Sequence, residues 1–469
     1  MIPNPEASSE PILGSDATRF RDPQWLFSLA TLPPVSELLA THIAPGTLVV
    51  SLQLHSNSLY VGAVCTVADA AATPKYFVKR VAMNEMDVFV RARRLGEINT
   101  EIEREMRLAP GFSAAMEDQY AQVCSEMDRL LSPIFQQLEL SFWPLSRFVK
   151  HDSNPQRMVL LPDSSLAAFP LERLASVTRM FVDTPAEKIC RDLSFHLHVY
   201  RVKDLLETVD RSSLADSLPG VSSDKFKMIV DPFAEDTLRP TEPEGSQTMF
   251  ELLESLEGEK ICAGGLTGKR WIASPEDFTK VLVESQAVVY LGFGKFLSAM
   301  GSGSALAALD LRHLPILCSV CRCINDTAFR RQTKGDSMKT PALLGVELFY
   351  SFSLLASMRG VRALLFTVNP LPIPAAMKVA DAISRNMVTE GMTLAQALAA
   401  VFAQTVDSSQ YRLVRPGGED AVEAGEDGED EEELPLLSFH SRAALITVGL
   451  ANTGTGAAPP KGKDKGKKK

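Results

Sequence analysis

The chain has 469 residues, room for two to four domains of about 100–200 residues or for one large α/β body. Hydrophobic residues make up 45% and charged residues 23%, ordinary globular usage that excludes a wholly disordered or fibrous chain. The net charge is −10, but ten acids crowd Glu419–Glu433, and six lysines with one aspartate crowd Lys461–Lys469. Without those two runs the body carries −5, too mild for a nucleic-acid or membrane surface.

Residues 1–20 read as a flexible leader, rich in Pro, Ser and Glu and lacking the apolar core of a secretory signal. No stretch of about 18 apolar residues occurs; the best candidate, Leu343–Met358, carries Glu347. The seven cysteines are an odd number and sparse outside one cluster, which suits free thiols in a reducing compartment. The expectation is a cytoplasmic chain that does not enter a membrane.

Three strands open the ordered part: Thr47–Leu54 after the turn pair Pro45-Gly46, Ser58–Val67 after Ser56-Asn57, and the alternating Tyr76–Val81. Helical spacing follows over 85–108 and 116–138, so 35–150 reads as an antiparallel and helical subdomain. From Arg157 short apolar strands alternate with helices. Strands are predicted at Met158–Pro162, Phe226–Val230, Ala287–Leu291, Leu314–Val320 and Ala363–Val368. Helices are predicted near 169–175, 248–256, 275–284, 341–358, 375–389 and 394–406. Strands apolar on both faces, each followed by a helix, predict an α/β body over 151–450 with a mainly parallel sheet covered on two sides. A last strand, Ala443–Gly449, follows an acidic loop over 417–434, and 451–469 reads as a basic tail.

Reactive groups of open α/β sheets sit beyond the carboxyl ends of the strands. Two ends stand out: Val288–Gly294, which runs into Gly292-Phe293-Gly294, and Leu314–Cys323, which ends in Cys318, Cys321 and Cys323. The order of segments resembles the CHAT domain, a caspase-like fold related to separase. The likeness is carried by Leu160-Leu-Pro-Asp-Ser-Ser-Leu-Ala-Ala-Phe-Pro-Leu-Glu-Arg-Leu174, Ile229-Val-Asp-Pro232, the two strand ends, Ala342–Phe349, Met358–Phe366, Thr393–Ala400 and the strand ending at Gly449, over about residues 35–450. It implies a caspase-like mainly parallel sheet preceded by the antiparallel meander.

The family places a histidine between its two glycines and a cysteine at the end of a Ser-x-Cys strand. Ser319-Val320-Cys321 supplies the nucleophile position, but Phe293 replaces the histidine. A phenyl ring takes no proton, and an unassisted thiol is only a few per cent thiolate at neutral pH. His313 begins the strand that Cys321 ends, about 25 Å away at ~3.3 Å per residue. His196 and His198 share one face of a predicted strand, and His151 and His440 fall in predicted loops. The departure implies a non-catalytic interaction or scaffold module. The competing reading is a cysteine endopeptidase using Cys321 with a non-standard base.

Blander readings stand beside these. Cys318-x-x-Cys321-x-Cys323 lacks the second ligand pair that structural zinc needs, so no metal or other cofactor is expected, and Cys318 reads as a small buried hydrophobe. Phe293 fills the cavity an imidazole and substrate would occupy. The acidic loop reads as a solvated insertion or as a docking site for a basic partner. The tail reads as a solubilising terminus or as an attachment to an acidic surface such as tubulin or nucleic acid, though six lysines without aromatics select poorly. Such a tail and loop resemble those of large ciliary axoneme proteins of the central apparatus. That likeness implies protein partners, axonemal or helical-repeat, and a place in the cilium rather than a nucleic-acid or membrane role.

Overall fold

Alternating apolar and polar residues close Thr47–His55 (β1), Ser58–Cys65 (β2) and Lys75–Ala82 (β3) into the antiparallel meander that the sequence predicts. Ser56 and Asn57, both at positive φ, form the two-residue turn that matches the twist of β1 and β2. The computed structural model describes residues 43–449 apart from 45, 67–73, 109–111, 144–153, 168, 182–184, 207–220, 237–246, 272, 302, 324, 404, 407–433, 436 and 438. The expected leader, nearly all of the acidic loop, the basic tail and His151 lie outside the described residues.

Two long helices follow, Glu85–Leu108 (α1) and Ala114–Phe142 (α2). The buried side of α2 repeats at helical spacing through Tyr120, Val123, Met127, Leu131, Ile134 and Leu138. It packs with α1 over β1, β2 and β4 (Arg157–Pro162) in one core. The remaining strands are β5 (Ile189–Arg191), β6 (Phe226–Val230), β7 (Gly265–Leu266), β8 (Ala287–Phe293), β9 (Ile316–Cys323), β10 (Ala363–Thr367), the short pair β11 (Thr405–Val406) and β12 (Leu434–Pro435), and β13 (Leu445–Gly449).

Eleven strands form one sheet in the order β3-β2-β1-β4-β5-β13-β10-β9-β8-β6-β7. Strands β1, β4, β5 and β13 are parallel to one another, as are β10, β9, β8, β6 and β7. The two blocks meet head to tail where β10 pairs antiparallel with β13. The mainly parallel sheet expected from the apolar strands is present. Its meander is continuous with it, because β1 pairs directly with β4.

Helices Phe195–Leu206 (α3), Met249–Gly258 (α4), Pro275–Glu284 (α5), Asp326–Ser337 (α6), Phe349–Met358 (α7), Ile373–Thr389 (α8), Leu394–Ala403 (α9) and Phe439–Ala443 (α10) flank the sheet, with further short helical turns between them. One face of β6, β8, β9 and β10 is buried under α4, α8 and α9. The other is buried under α5, α7 and the short turn Phe296–Met300. Ser274 and Thr248 build capping boxes at the starts of α5 and α4, which explains why these helices begin where the sequence places them.

Several expectations are corrected. Ser194–Tyr200 is not a strand. Ser194 Oγ accepts the Leu197 N–H at 3.2 Å and starts α3, so His196 and His198 lie two apart on a helix and diverge. His440 is not in a loop but on α10, fully buried. The predicted helix 341–358 breaks into Pro341–Val346 and α7 at half-buried Glu347, which binds Lys339 and Lys295. Over 169–175 a single 3-10 turn, Leu171–Arg173, replaces the expected helix. Glu172 there is held by Arg191 on β5, whose guanidinium also donates to the Ala167 and Phe169 carbonyls at 3.1 and 3.0 Å. The Pro-Leu-Glu segment is thus a brace for a buried arginine.

Candidate site at the carboxyl edge of the parallel block

Strands β8 and β9 run in register from Ala287↔Ile316 to Leu291↔Val320, and then slip so that Phe293 faces Cys323. The slip puts one extra residue into β9 and reverses which face the following side chains take. Phe293 and Cys323, each 1% exposed, therefore share the core beneath α4, α8 and α9. Cys321, 5% exposed, points to the opposite core with Tyr290 and Phe366. The two positions singled out in the sequence, Phe293 and Cys321, occupy neighbouring strands but opposite sides of the sheet.

The bulge is held by Thr367 at the end of β10. Its hydroxyl accepts the Cys321 N–H at 3.3 Å and donates to the Ser319 carbonyl at 3.3 Å. The Cys321 sulfur lies 4.0 Å from the Thr367 carbonyl. A backbone N–H beside an attacking sulfur is the usual donor to a developing oxyanion. Here that N–H already has an acceptor.

Beyond the strand ends lies a cleft of about 210 Å³. Gly294 and Lys295 after β8, Cys323 of β9, Glu103 of α1 and one side of α6 line it. Gly294 has φ +77°, a conformation that favours glycine, and a Cβ there would stand 2.6 Å from Gln332 Oε1, so the Gln332 side chain would have to shift. Burial pushes the Cys323 thiol well above its ordinary pKa, and Cys321 and Asp236 push the same way. Its sulfur stays protonated across the neutral range and is a poor nucleophile. No histidine lines this cleft among the described residues.

The loop after β6 supports the same edge. Asp231 of the Ile-Val-Asp-Pro segment accepts the Glu235 and Asp236 N–H groups, each at 2.9 Å. Glu235 is bidentate to Arg331 of α6 at 2.6 and 2.9 Å, and its carbonyl accepts Asn325 Nδ2 at 2.8 Å. Arg331 lies over the Phe233 ring at 3.9 Å and reaches the Phe293 carbonyl at 3.5 Å. The Tyr290 hydroxyl donates to that carbonyl at 3.3 Å.

The described histidines that form hydrogen bonds are engaged elsewhere. His313 bonds the Leu282 carbonyl at 3.1 Å, and His198 bonds Asp192 at 3.1 Å. His440 comes to the same edge, where its partners belong to α1, α2 and the loop between them. Its Nε2 meets Asn99 Oδ1 at 3.2 Å, Asn99 donates to Asn369 at 3.0 Å, and Asn369 donates to the Tyr120 hydroxyl at 2.8 Å. The His440 ring sits edge-on against Phe112 and Tyr120, and burial lowers its pKa to about 3. Such an imidazole stays neutral and is a feeble base.

Glu103 and the whole of α6 were not singled out by sequence reasoning, and Cys323 was named only as a member of the cysteine cluster. A bulge has no sequence signature, and α6 offers little apolar periodicity; the one local signal was Asn325, an N-cap whose Oδ1 accepts the Ala328 N–H at 2.8 Å. Among the described residues no group of three or more His, Cys, Asp or Glu side chains is arranged to hold a metal ion, and no helix is long and apolar enough to cross a membrane.

No family model matches the sequence, and no curated protein does. Solved structures do match. The Saccharomyces cerevisiae separase–securin complex at 2.6 Å aligns with a TM-score of 0.55 and 10% identity over 88% of this chain and 30% of that chain. The same complex at 3.0 Å aligns with a TM-score of 0.52 at 10% identity, over 88% and 30%. This chain spans less than a third of the chain it matches. At that identity the likeness is one of fold: the body is a caspase-like α/β domain similar to that of separase.

Proposed function

We propose that this chain is a caspase-like module without peptidase chemistry, which binds a protein partner at the carboxyl edge of β8, β9 and β10. The observation that carries this reading is Phe293, an apolar ring buried opposite Cys323 where a dyad would need an imidazole. The engaged Cys321 N–H and the raised pKa of the Cys323 thiol point the same way. Complex formation by the structural neighbour with securin supports a protein as the partner. In the finer version of the proposal the module is a degenerate CHAT domain, similar to the C-terminal part of the ciliary central-apparatus protein cilia- and flagella-associated protein 46. Its acidic run and Lys461–Lys469 would then contact axonemal or helical-repeat proteins.

The test is cleavage of a diverse peptide pool, read as new N-termini by mass spectrometry. Wild type, Cys321→Ser, Cys323→Ser and Phe293→His are expected to match a protein-free control. Cleavage by the wild type that Cys321→Ser or Cys323→Ser abolishes would establish the endopeptidase reading instead. For the partner, retention of axonemal proteins by the full chain is expected to drop when 417–434 and 461–469 are deleted.

A further inference from the structure

One wall of the cleft is a helix that holds to the body weakly. Helix α6 has 12 residues and buries a single side chain, Ala328. An isolated helix of that length is marginal in water, and a helix with few buried apolar contacts belongs to the least stable part of a fold. Gly335 weakens it further. A Cβ at that position would meet nothing within 4 Å, so packing does not call for glycine there. What holds α6 down is polar: the Arg331–Glu235 pair, Asn325 on the Glu235 carbonyl, and Arg107 over the Phe329 ring at 3.6 Å.

We propose that α6 is a cover over the Cys323 cleft, latched by Arg331 and Glu235, and that the cleft admits the protein partner only when this helix unwinds from the edge. Arg331 suits a latch because it joins three parts of the edge: the loop after β6 through Glu235, the end of β8 through the Phe293 carbonyl, and α6 itself. Losing it leaves Glu235 without its bidentate partner and removes the bond from α6 to the end of β8, so that Asn325, Arg107 and the Asp336–Lys339 pair hold the helix alone. The inference deepens the partner-binding reading of this cleft, but a small reagent can test it with no partner present.

The experiment is iodoacetamide labelling of the native full chain, followed at each cysteine by peptide mass spectrometry. Cys323 reports opening of the cleft, and fully buried Cys318 reports loosening of the core. Arg331→Met is expected to speed Cys323 labelling at least tenfold, and Gly335→Ala to slow it about fivefold, the usual weight of that exchange in a helix. Cys318 is expected to stay at its wild-type rate in both. An unchanged Cys323 rate in either variant, or Cys318 rising together with Cys323, would overturn the proposal. Failure of the partner reading alone would leave these labelling ratios intact.

Discussion

The buried imidazole of His440 makes a quantitative demand on the pH dependence of stability. In the folded chain its pKa is lowered to about 3 by burial, from an ordinary value of 6.5. Its Nε2 points at Asn99, and its Nδ1 is buried with no partner, so a second proton would be buried without an acceptor. Between those two pKa values the unfolded chain binds more protons than the folded one, so stability falls as pH falls. With these pKa values the loss from pH 7 to pH 5 is about 2 kcal/mol for this residue alone. Urea unfolding of wild type and His440→Gln at both pH values reads it directly. Glutamine keeps an N–H for Asn99 and does not titrate, and its lost ring packing costs the same at either pH. Wild type is expected to lose about 2 kcal/mol more than the variant on acidification. Equal losses would refute the argument, because they would mean that the ring is hydrated or already charged in the folded protein.

Two further perturbations test the supports of the edge. Arg191→Met strands Glu172 in the core and is expected to cost about 3–5 kcal/mol in urea unfolding, with Arg191→Met/Glu172→Leu recovering most of it. An additive double variant would contradict the pairing. Thr367→Val removes the hydroxyl shared by the Cys321 N–H and the Ser319 carbonyl; a loss of about 1–3 kcal/mol is expected, and a neutral change would mean that the bulge needs no such brace.

Much of the sheet was legible because its strands are apolar on both faces. Ala287–Leu291 and Ala363–Val368 are runs with room for little but a buried strand, and Pro275–Glu284 carries its own cap. Strand direction was not legible. Nothing in Leu445–Gly449 announces that it pairs antiparallel with β10 and parallel with β5, since both contacts are long-range. The alternation Phe195, Leu197, Val199 imitates a strand, and only Ser194 betrays the helix. At the site, the two strand ends that stand out in the sequence, Val288–Gly294 and Leu314–Cys323, belong to neighbouring strands. Residue order did not predict that a thiol meets Phe293, because one inserted residue in β9 puts Cys323 where the unslipped register would put Arg322.

We propose that neither thiol at this edge is activated. The most direct measurement is the rate constant for iodoacetamide alkylation at Cys321 and at Cys323 in the native chain from pH 5 to pH 9, against a short unstructured cysteine peptide. The account predicts that both sites react more slowly than the peptide at every pH. Alkylation of either site faster than the peptide below pH 7, the mark of a thiolate stabilised by a nearby cation, would contradict it.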